Sequence, residues 1–172
     1  MKAMAGLNQQ LARSGLEKSL VELVRLRASQ INGCAHCIDM HTADARTAGE
    51  GERRLATLAM WRETAFVNDC ERAALEWTAS VTRVAVTRVP DDVWERVQLQ
   101  YTPAELVDLT LLVVTIDLAD VSSRPRCPAF GVQKRNRYPT SSIKMPSSPM
   151  AQLRSKCRGS SPSLPFRSRS AR

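Results

Sequence analysis

Two cysteines, two histidines and one carboxylate lie close together in this 172-residue chain, and their types and spacing could support chemistry. Cys34 and Cys37 form a C-x-x-C pair, with His36 inside it, His41 after it and Glu22 before it. The thiolate is the reactive form of cysteine, and a helix N-terminus or a neighbouring imidazole lowers the pKa of a thiol. The segment therefore predicts thiol chemistry at the C-x-x-C pair.

Two predicted helices that meet at Gly33 would position these side chains. The first helix carries apolar residues at helical spacing, namely Leu16, Leu20, Leu23, Val24 and Ile31. The second begins near Cys34, runs for about four turns and ends at Gly49, a residue type typical of helix C-termini. Cys37 and His41 lie four residues apart in it, so one helix face carries both the thiol and the imidazole.

Structural roles compete with functional ones for three of these residues. Glu22 could form a capping box with Ser19, pair with Arg25 on a solvated face, or act as a buried functional carboxylate. His36 could be a surface residue of the first helical turn, and His41 could be a core imidazole. The residue types alone leave these alternatives open.

A zinc site is a further alternative for Cys34, Cys37 and His41. A structural zinc site needs four ligands, and the sequence has no second C-x-x-C pair and no H-x-x-x-H pair to complete one. We therefore expect no metal and no cofactor.

Helical periodicity continues up to residue 116 and predicts an all-α helical bundle. Further helices are expected over residues 52–66, from Asp69, from Asp91 after Pro90, and from Pro103 to Ile116 behind a Thr102/Glu105 capping box. The β-branched run 84–89 is the one segment where a short strand competes with a helix end, and the helix end is favoured.

The remaining aromatic and sulfur residues are assigned to packing or receive no role. Three tryptophans fall on apolar helix faces and are expected to anchor the core: Trp61, Trp77 and Trp94. Cys70, at a predicted helix start, is expected to be a packing cysteine. Cys127 and Cys157 have no neighbouring histidine and belong to no second C-x-x-C pair.

The net charge of +8 is not spread evenly along the chain. Residues 1–117 carry 13 Lys+Arg and 16 Asp+Glu, a net charge of −3, whereas residues 118–172 carry 12 Lys+Arg and one acidic residue, a net charge of +11. The second segment also holds 12 serines and seven of the nine prolines, without helical or strand periodicity. We therefore expect a helical domain over residues 1–117 and a disordered Ser/Pro/Arg-rich tail over residues 118–172.

The sequence also limits the expected partners and location. The basic tail has few interleaved aromatic residues, so nucleic-acid binding is not expected. No apolar run approaches the roughly 18 residues of a membrane helix, and the first residues lack the apolar segment of a signal peptide. Five cysteines fit a reducing cytosol better than a disulfide framework, so we expect a soluble cytoplasmic protein without membrane contact.

The spacing Glu, eleven residues, Cys, two residues, Cys, three residues, His resembles the active-site signature of the alkylhydroperoxidase D-like (AhpD-like) branch of the carboxymuconolactone decarboxylase superfamily. The whole segment from Glu22 to Thr42 is similar to family members. Four further segments share this similarity: Arg54-Leu-Ala-Thr-Leu, Trp61-Arg-Glu-Thr, Glu71-Arg-Ala-Ala-Leu and Thr102-Pro-Ala-Glu-Leu-Val-Asp-Leu-Thr. The resemblance covers roughly residues 3–116, and its spaced residues are far more specific than a lone C-x-x-C pair.

The resemblance implies a role for each residue of the motif. Cys37 would be the peroxidatic cysteine that becomes a sulfenic acid, and Cys34 the resolving thiol that closes the Cys34–Cys37 disulfide. Glu22 and His41 would relay a proton away from Cys37, and His36 would tune the pair. An external dithiol protein or small thiol would then reduce the disulfide.

The implied activity is that of a thiol-dependent peroxidase, a peroxiredoxin-type alkyl hydroperoxide reductase with a peroxide as substrate. The family resemblance also implies an all-α fold and a homo-oligomer, typically a trimer or a larger ring of trimers. A decarboxylase-type lyase of the same superfamily and a non-catalytic thiol redox sensor remain alternatives. The lyase would have no need of the dithiol.

The resemblance stops abruptly after Ile116. Family members continue with an Asn-Ala-Trp-Asn-Arg-like segment, whereas this chain continues with Asp-Leu-Ala-Asp-Val-Ser-Ser-Arg-Pro. We hypothesise that residues 117–172 are a non-native terminus, such as an out-of-frame translation product, and that the last helix is shortened. An intact reading frame with the same tail in close relatives would reject this hypothesis.

Overall fold

A computed structural model describes residues 2–123, and every regular element in this range is helical. The helices are α1 (Lys2–Leu11), α2 (Lys18–Asn32), α3 (Ala35–Thr47), α4 (Glu52–Thr57), α5 (Asp69–Thr82), α6 (Val84–Thr87), α7 (Asp91–Gln100) and α8 (Pro103–Ser123), with a 3₁₀ turn at Leu58–Met60. The prediction of an all-α bundle is confirmed. Within the described range, no helix combines the length and the apolar character needed to cross a membrane.

Helix α2 lies between two hydrophobic cores. Leu20 and Val24 pack with residues of α5, α7 and α8, whereas Leu23 and Leu26 pack with residues of α3, α4 and α5. A helix that is apolar on opposite sides is buried in the centre of a bundle. Truncating a fully buried leucine such as Leu23 to alanine typically lowers the free energy of unfolding by about 2–5 kcal/mol. Because several such residues anchor α2 in both cores, the helix holds its other side chains in fixed positions.

The junction of α2 and α3 follows the predicted break at Gly33. Gly33 adopts a left-handed conformation with φ 68°, which a residue with a Cβ rarely takes, and ends α2. The next amide, that of Cys34, donates to the Ser29 carbonyl at 3.1 Å. Cys34 is then the N-cap residue of α3, so the C-x-x-C pair stands at a helix N-terminus. Helix α3 ends at Thr47, two residues before the predicted stop.

The structure decides an open alternative at α6 and corrects a prediction at α7. Residues 84–87 form the short helix α6, in agreement with the favoured helical alternative, and Val86 in it is exposed. Trp61 and Trp77 are buried as expected, but Trp94 is 43% exposed. Helix α7 turns Val93 and Val97 into the core instead, and this leaves the Trp94 ring partly outside, 5.6 Å from the Trp77 ring centroid.

Helix α8 extends past the expected end of the folded domain. It runs through residue 117 to Ser123, so residues 118–123 are helical and the expected domain boundary is too early by six residues. The continuation is held because Asp120 is buried against α2 and accepts hydrogen bonds from Ser29 and Asn32. The last helix is therefore not cut off where the family resemblance stops. Residues 124–172, including the rest of the expected disordered tail with Cys127 and Cys157, lie outside the described residues.

Candidate active site

Glu22 of α2 and His41 of α3 form a pair beside the cysteines. The Glu22 Oε2 lies 3.1 Å from His41 Nδ1, and Glu22 Oε1 accepts a hydrogen bond from Arg25 at 2.8 Å. The side chains of Glu22 and His41 are only 12% and 6% exposed. Ser19 donates to Glu50 instead of capping α2 with Glu22, and the N-cap position belongs to Glu17. Glu22 is therefore a largely buried carboxylate that contacts both Arg25 and the imidazole.

The charge of Glu22 is stabilised by its partners. Burial by itself raises the pKa of this carboxyl, but the hydrogen bonds with His41 and Arg25 and the positive charge of Arg25 outweigh it, so the pKa is lowered below its usual value. Glu22 is thus a carboxylate at neutral pH. A carboxylate that binds one ring nitrogen of a histidine orients the ring and stabilises the protonated imidazolium.

The second ring nitrogen of His41 remains available for proton transfer. Its Nε2 atom is buried and has no hydrogen-bond partner among residues 2–123. When Nδ1 donates its proton to Glu22, Nε2 carries the lone pair and can accept a proton. His41 and Cys37 both line a cavity of about 350 Å³, so a molecule in this cavity can contact the imidazole and the cysteine sulfur.

Cys34 and Cys37 are joined by a disulfide, with their Cα atoms 5.3 Å apart. Cys37 is 1% exposed and Cys34 is also buried. The sulfur of Cys34 accepts a hydrogen bond from the backbone N–H of Cys37 at 3.3 Å. Cys34 lies at the positive end of the α3 dipole, which stabilises a Cys34 thiolate once the disulfide is reduced.

His36 is the motif residue that the fold keeps apart from the buried group. It lies exposed in the first turn of α3, where the sequence allowed a surface residue. Its tuning of the cysteine pair stays a prediction.

Asp120 is a site residue that the sequence analysis missed. Its carboxylate is 1% exposed, and a carboxylate oxygen lies within 4.8 Å of the sulfurs of both Cys34 and Cys37. Ser29 Oγ and Asn32 Nδ2 donate to its two oxygens at 3.0 and 2.8 Å. The available signal was that Asp120 is the single acidic residue of the basic segment 118–172.

Two groups of side chains within residues 2–123 bring three possible metal ligands together. One group is Cys34, Cys37 and Asp120, and the other is Glu22, His41 and Asp44. Structural zinc sites use four protein ligands, so each group has one ligand fewer than such a site requires.

The cavity beside Cys37 and His41 has both apolar and polar walls, and its polar residues include Arg25, Asp44 and Thr115. Its walls include Met4, Met40, Leu112 and Ile116, and the Arg25 guanidinium borders it. A second and larger cavity of about 760 Å³ lies on the opposite face of α8, against α7. Residues such as Trp94, Leu106, Val107 and Val114 line the larger cavity.

Comparison with known proteins identifies relatives of this chain. The sequence model of the Carboxymuconolactone decarboxylase family matches residues 1–80. The uncharacterized protein YdfG of Bacillus subtilis is 41% identical over 117 residues, which span 68% of this chain and 80% of that protein.

Solved structures have the same fold. A protein of unknown function from Agrobacterium tumefaciens, which carries the provisional name antioxidant defence protein AhpD, matches with a TM-score of 0.72 and 34% identity, over 77% of this chain and 90% of that one. An uncharacterized peroxidase-related protein from Silicibacter sp. matches with a TM-score of 0.65 over 72% of this chain and 66% of that one. Because the Silicibacter protein is only 19% identical, its similarity supports the fold and nothing more.

Proposed function

The chain belongs to the carboxymuconolactone decarboxylase family as an AhpD-like member, and we propose that it is a thiol-dependent peroxidase. The observation that carries this proposal is the buried Glu22–His41 pair at the cavity that Cys37 also lines. A lyase reaction would need no dithiol, whereas a peroxidase uses every part of this arrangement.

In the first step, His41 takes the thiol proton of Cys37, and Glu22 stabilises the imidazolium. The Cys37 thiolate then attacks the terminal oxygen of a peroxide ROOH, and the O–O bond breaks. The alkoxide that leaves takes the proton back from His41 and departs as ROH. Cys37 is oxidised to a sulfenic acid, and the peroxide is reduced to an alcohol.

In the second step, the Cys34 thiol attacks the sulfur of the Cys37 sulfenic acid. The S–S bond forms, the S–OH bond breaks and water leaves. The Cys34–Cys37 disulfide in the structure corresponds to this product. An external dithiol, from a protein or a small thiol, then reduces the disulfide and is itself oxidised. We place this cycle in the cytoplasm, where such reductants are maintained.

The cavity favours an organic hydroperoxide as substrate. Its apolar walls, which include Met40, Leu112 and Ile116, can bury an alkyl group while the peroxide oxygens face Cys37 and His41. Hydrogen peroxide would gain nothing from these walls. We therefore expect an organic hydroperoxide to be turned over with the higher kcat/KM.

The cysteine roles are tested by serine variants treated with one equivalent of peroxide. Cys37→Ser should abolish turnover, whereas Cys34→Ser should accumulate a sulfenic acid on Cys37 that is not recycled. Mass spectrometry of the modified peptides separates the two outcomes. Cys127→Ser, the same change outside the motif, should leave turnover intact. Sulfenic acid on Cys34 of an active Cys37→Ser protein would reverse the assignment.

We also propose that the chain forms a homo-oligomer through α8, as the family resemblance implies. Apolar side chains follow one side of this helix at alternating spacings of four and three residues, at positions Val107, Leu111, Val114, Leu118 and Val121. Four of them are 50–66% exposed. A stripe with this spacing is typical of helices that pack against another helix.

The oligomer proposal is tested by the mass of the protein in solution. Light scattering should give a multiple of the chain mass, with a trimer as the expected state. Val114→Glu combined with Leu118→Glu should reduce it to that of one chain, whereas Val86→Glu, at an exposed valine away from the stripe, should leave it unchanged. A monomeric wild-type protein would contradict the proposal.

A further inference from the structure

Asp120 gives the cysteine pair a second buried carboxylate in addition to Glu22. It reaches Cys34 and Cys37 from α8, whereas Glu22 reaches His41 from α2. A buried carboxylate is costly unless hydrogen bonds stabilise its charge. Ser29 and Asn32 supply such bonds, so the fold holds this group firmly against the sulfurs.

The two carboxylates differ in their place relative to the cavity. The cavity is lined by Cys37 and His41, but its described lining includes neither Cys34 nor Asp120. Glu22 and His41 therefore serve Cys37, the sulfur that meets the peroxide. Asp120 lies within 4.8 Å of both sulfurs and outside that lining, so it can also act on Cys34, which does not line the cavity.

We propose that Asp120 is the acid–base partner of Cys34: its negative charge keeps Cys34 a thiol at rest, and it accepts the thiol proton when Cys34 attacks. This deepens the proposed peroxidase function and rests on it for the attacked sulfenic acid. A carboxylate close to a thiol disfavours the thiolate. This charge opposes the N-terminus of α3 and the Cys37 N–H, which favour a Cys34 thiolate, and in the proposal it outweighs them. Cys34 would thus stay protonated while Cys37, beside His41, is ionised.

The proton balance of the resolving step is closed by Asp120. The carboxylate takes the proton of the Cys34 thiol, and the thiolate displaces hydroxide from the Cys37 sulfenic acid as the S–S bond forms. Asp120 then gives its proton to the hydroxide, which leaves as water. When a dithiol reductant later releases the Cys34 thiolate, Asp120 passes to this thiolate the proton that it takes from the thiol of the reductant.

Several other groups lie close to Asp120. Helix α3 contributes the two cysteines, and α2 contributes the neutral side chains Ser29 and Asn32. Helix α8 contributes Asp117, whose Oδ1 shares the Asn32 amide with Asp120 at 2.8 Å. Burial raises the pKa of Asp117. Asp117 shares the Asn32 amide with Asp120 but does not belong to the group of ligand atoms around the two sulfurs, so it serves as a matched control.

The first test needs no peroxide. In a Cys37→Ser protein, which retains Cys34 as the single thiol of the motif, the pH dependence of alkylation gives the Cys34 pKa. It should lie above the ordinary value of about 8.5. Adding Asp120→Asn removes the neighbouring charge and should lower it by at least about one unit, whereas Asp117→Asn should shift it less. A Cys34 pKa at or below the ordinary value, or one that Asp120→Asn leaves unchanged, would overturn the proposal.

The second test monitors the resolving step after one equivalent of organic hydroperoxide. Asp120→Asn should still form the Cys37 sulfenic acid. Its rate of disulfide closure, divided by the fraction of Cys34 thiolate that the first test gives, should be at least roughly tenfold lower than that of wild type, because nothing delivers a proton to the leaving hydroxide. A dimedone-type reagent traps the sulfenic acid and times its loss. Equal closure rates per Cys34 thiolate would overturn the role of Asp120 and leave the peroxidase proposal standing. If the wild-type protein formed no sulfenic acid, the peroxidase proposal would be overturned instead. The alkylation test would then still show whether Asp120 raises the Cys34 pKa.

Discussion

The two cavities that border α8 differ in size and in the groups that line them. The larger, about 760 Å³, is bounded by side chains such as Trp94 and Leu106, and no cysteine, histidine or carboxylate is part of its described lining. The smaller, about 350 Å³, contains Cys37 and His41 and borders the Glu22–His41 pair. Cavity volume alone is therefore a poor guide to the site of chemistry. Groups that can hold or move a proton are the better guide.

One helix separates the two regions, and this makes them separable by mutation. Leu112 and Ile116 of α8 face the smaller cavity, whereas Val107 and Val114 face the larger one. A change on one face of α8 should therefore leave the cavity on the other face intact.

The largest expected effect in the smaller cavity comes from Glu22→Gln. The change removes the charge that stabilises the His41 imidazolium, so the Cys37 pKa should rise and peroxidase activity should fall at least roughly tenfold. Alkylation titration and steady-state turnover of the folded variant measure both. Asp44→Asn is the matched control, because Asp44 lies farther from His41 Nδ1, at 4.0 Å, and is exposed. Unchanged alkylation and turnover in Glu22→Gln would return Glu22 to a structural role.

A smaller effect is expected from narrowing the cavity with Ala119→Leu. Added bulk in an apolar pocket should lower kcat/KM for a large organic hydroperoxide by about tenfold. The value for hydrogen peroxide should change little, because the small substrate needs no wall contacts. Val114→Leu makes a similar change on the opposite face of α8 and should alter neither value. Equal losses for both substrates in Ala119→Leu would mean that the cavity does not bind the alkyl group.

The next prediction concerns stability and pH. Since the pKa of Glu22 is lowered from its ordinary value of 4.5, its contribution to folding is fully present above that value and is lost as pH falls through the lowered one. At neutral pH, wild type should exceed Glu22→Gln in unfolding free energy by about 1–3 kcal/mol. Urea unfolding in acid should show this difference shrinking. If the difference in unfolding free energy grew in acid, the pKa of Glu22 would be raised in the folded protein rather than lowered.

The smallest expected effect is in the larger cavity. Gln98→Ala changes an exposed residue of that lining that lies on α7, outside the α8 stripe, and should alter stability by no more than about 0.5 kcal/mol. Peroxide turnover should equal that of wild type, because none of the residues proposed to react lines this cavity. A clear loss of turnover in a folded Gln98→Ala protein would show that the larger cavity takes part in the reaction.

Much of the site could be predicted from local sequence patterns. The Gly33 break and the four-residue spacing of Cys37 and His41 are properties of neighbouring residues, and helical geometry turns them into a structure. The contact of Glu22 with His41 arises between the same two adjacent helices. The residue types alone could not show that Glu22 contacts His41 rather than forming a capping box with Ser19, because this outcome depends on how the two helices pack.

Other features depend on contacts between distant parts of the chain. Asp120 reaches Ser29 across 91 residues of sequence, and this contact keeps α8 helical beyond residue 117. Composition assigned residues 118–123 to the tail, because serine, proline and arginine dominate the segment 118–172 as a whole. The prediction for Trp94 failed for a related reason, since periodicity identifies an apolar face but not whether another element covers it.

Peroxidase activity through the Cys34/Cys37 pair is best measured on the fully reduced wild-type protein treated with one equivalent of an organic hydroperoxide. Mass spectrometry should show the loss of two hydrogen atoms per chain and a Cys34–Cys37 disulfide, with one equivalent of the alcohol formed. A dithiol should restore the starting mass and permit a second turnover. Free Cys34 and Cys37 thiols with unconsumed hydroperoxide would contradict the account.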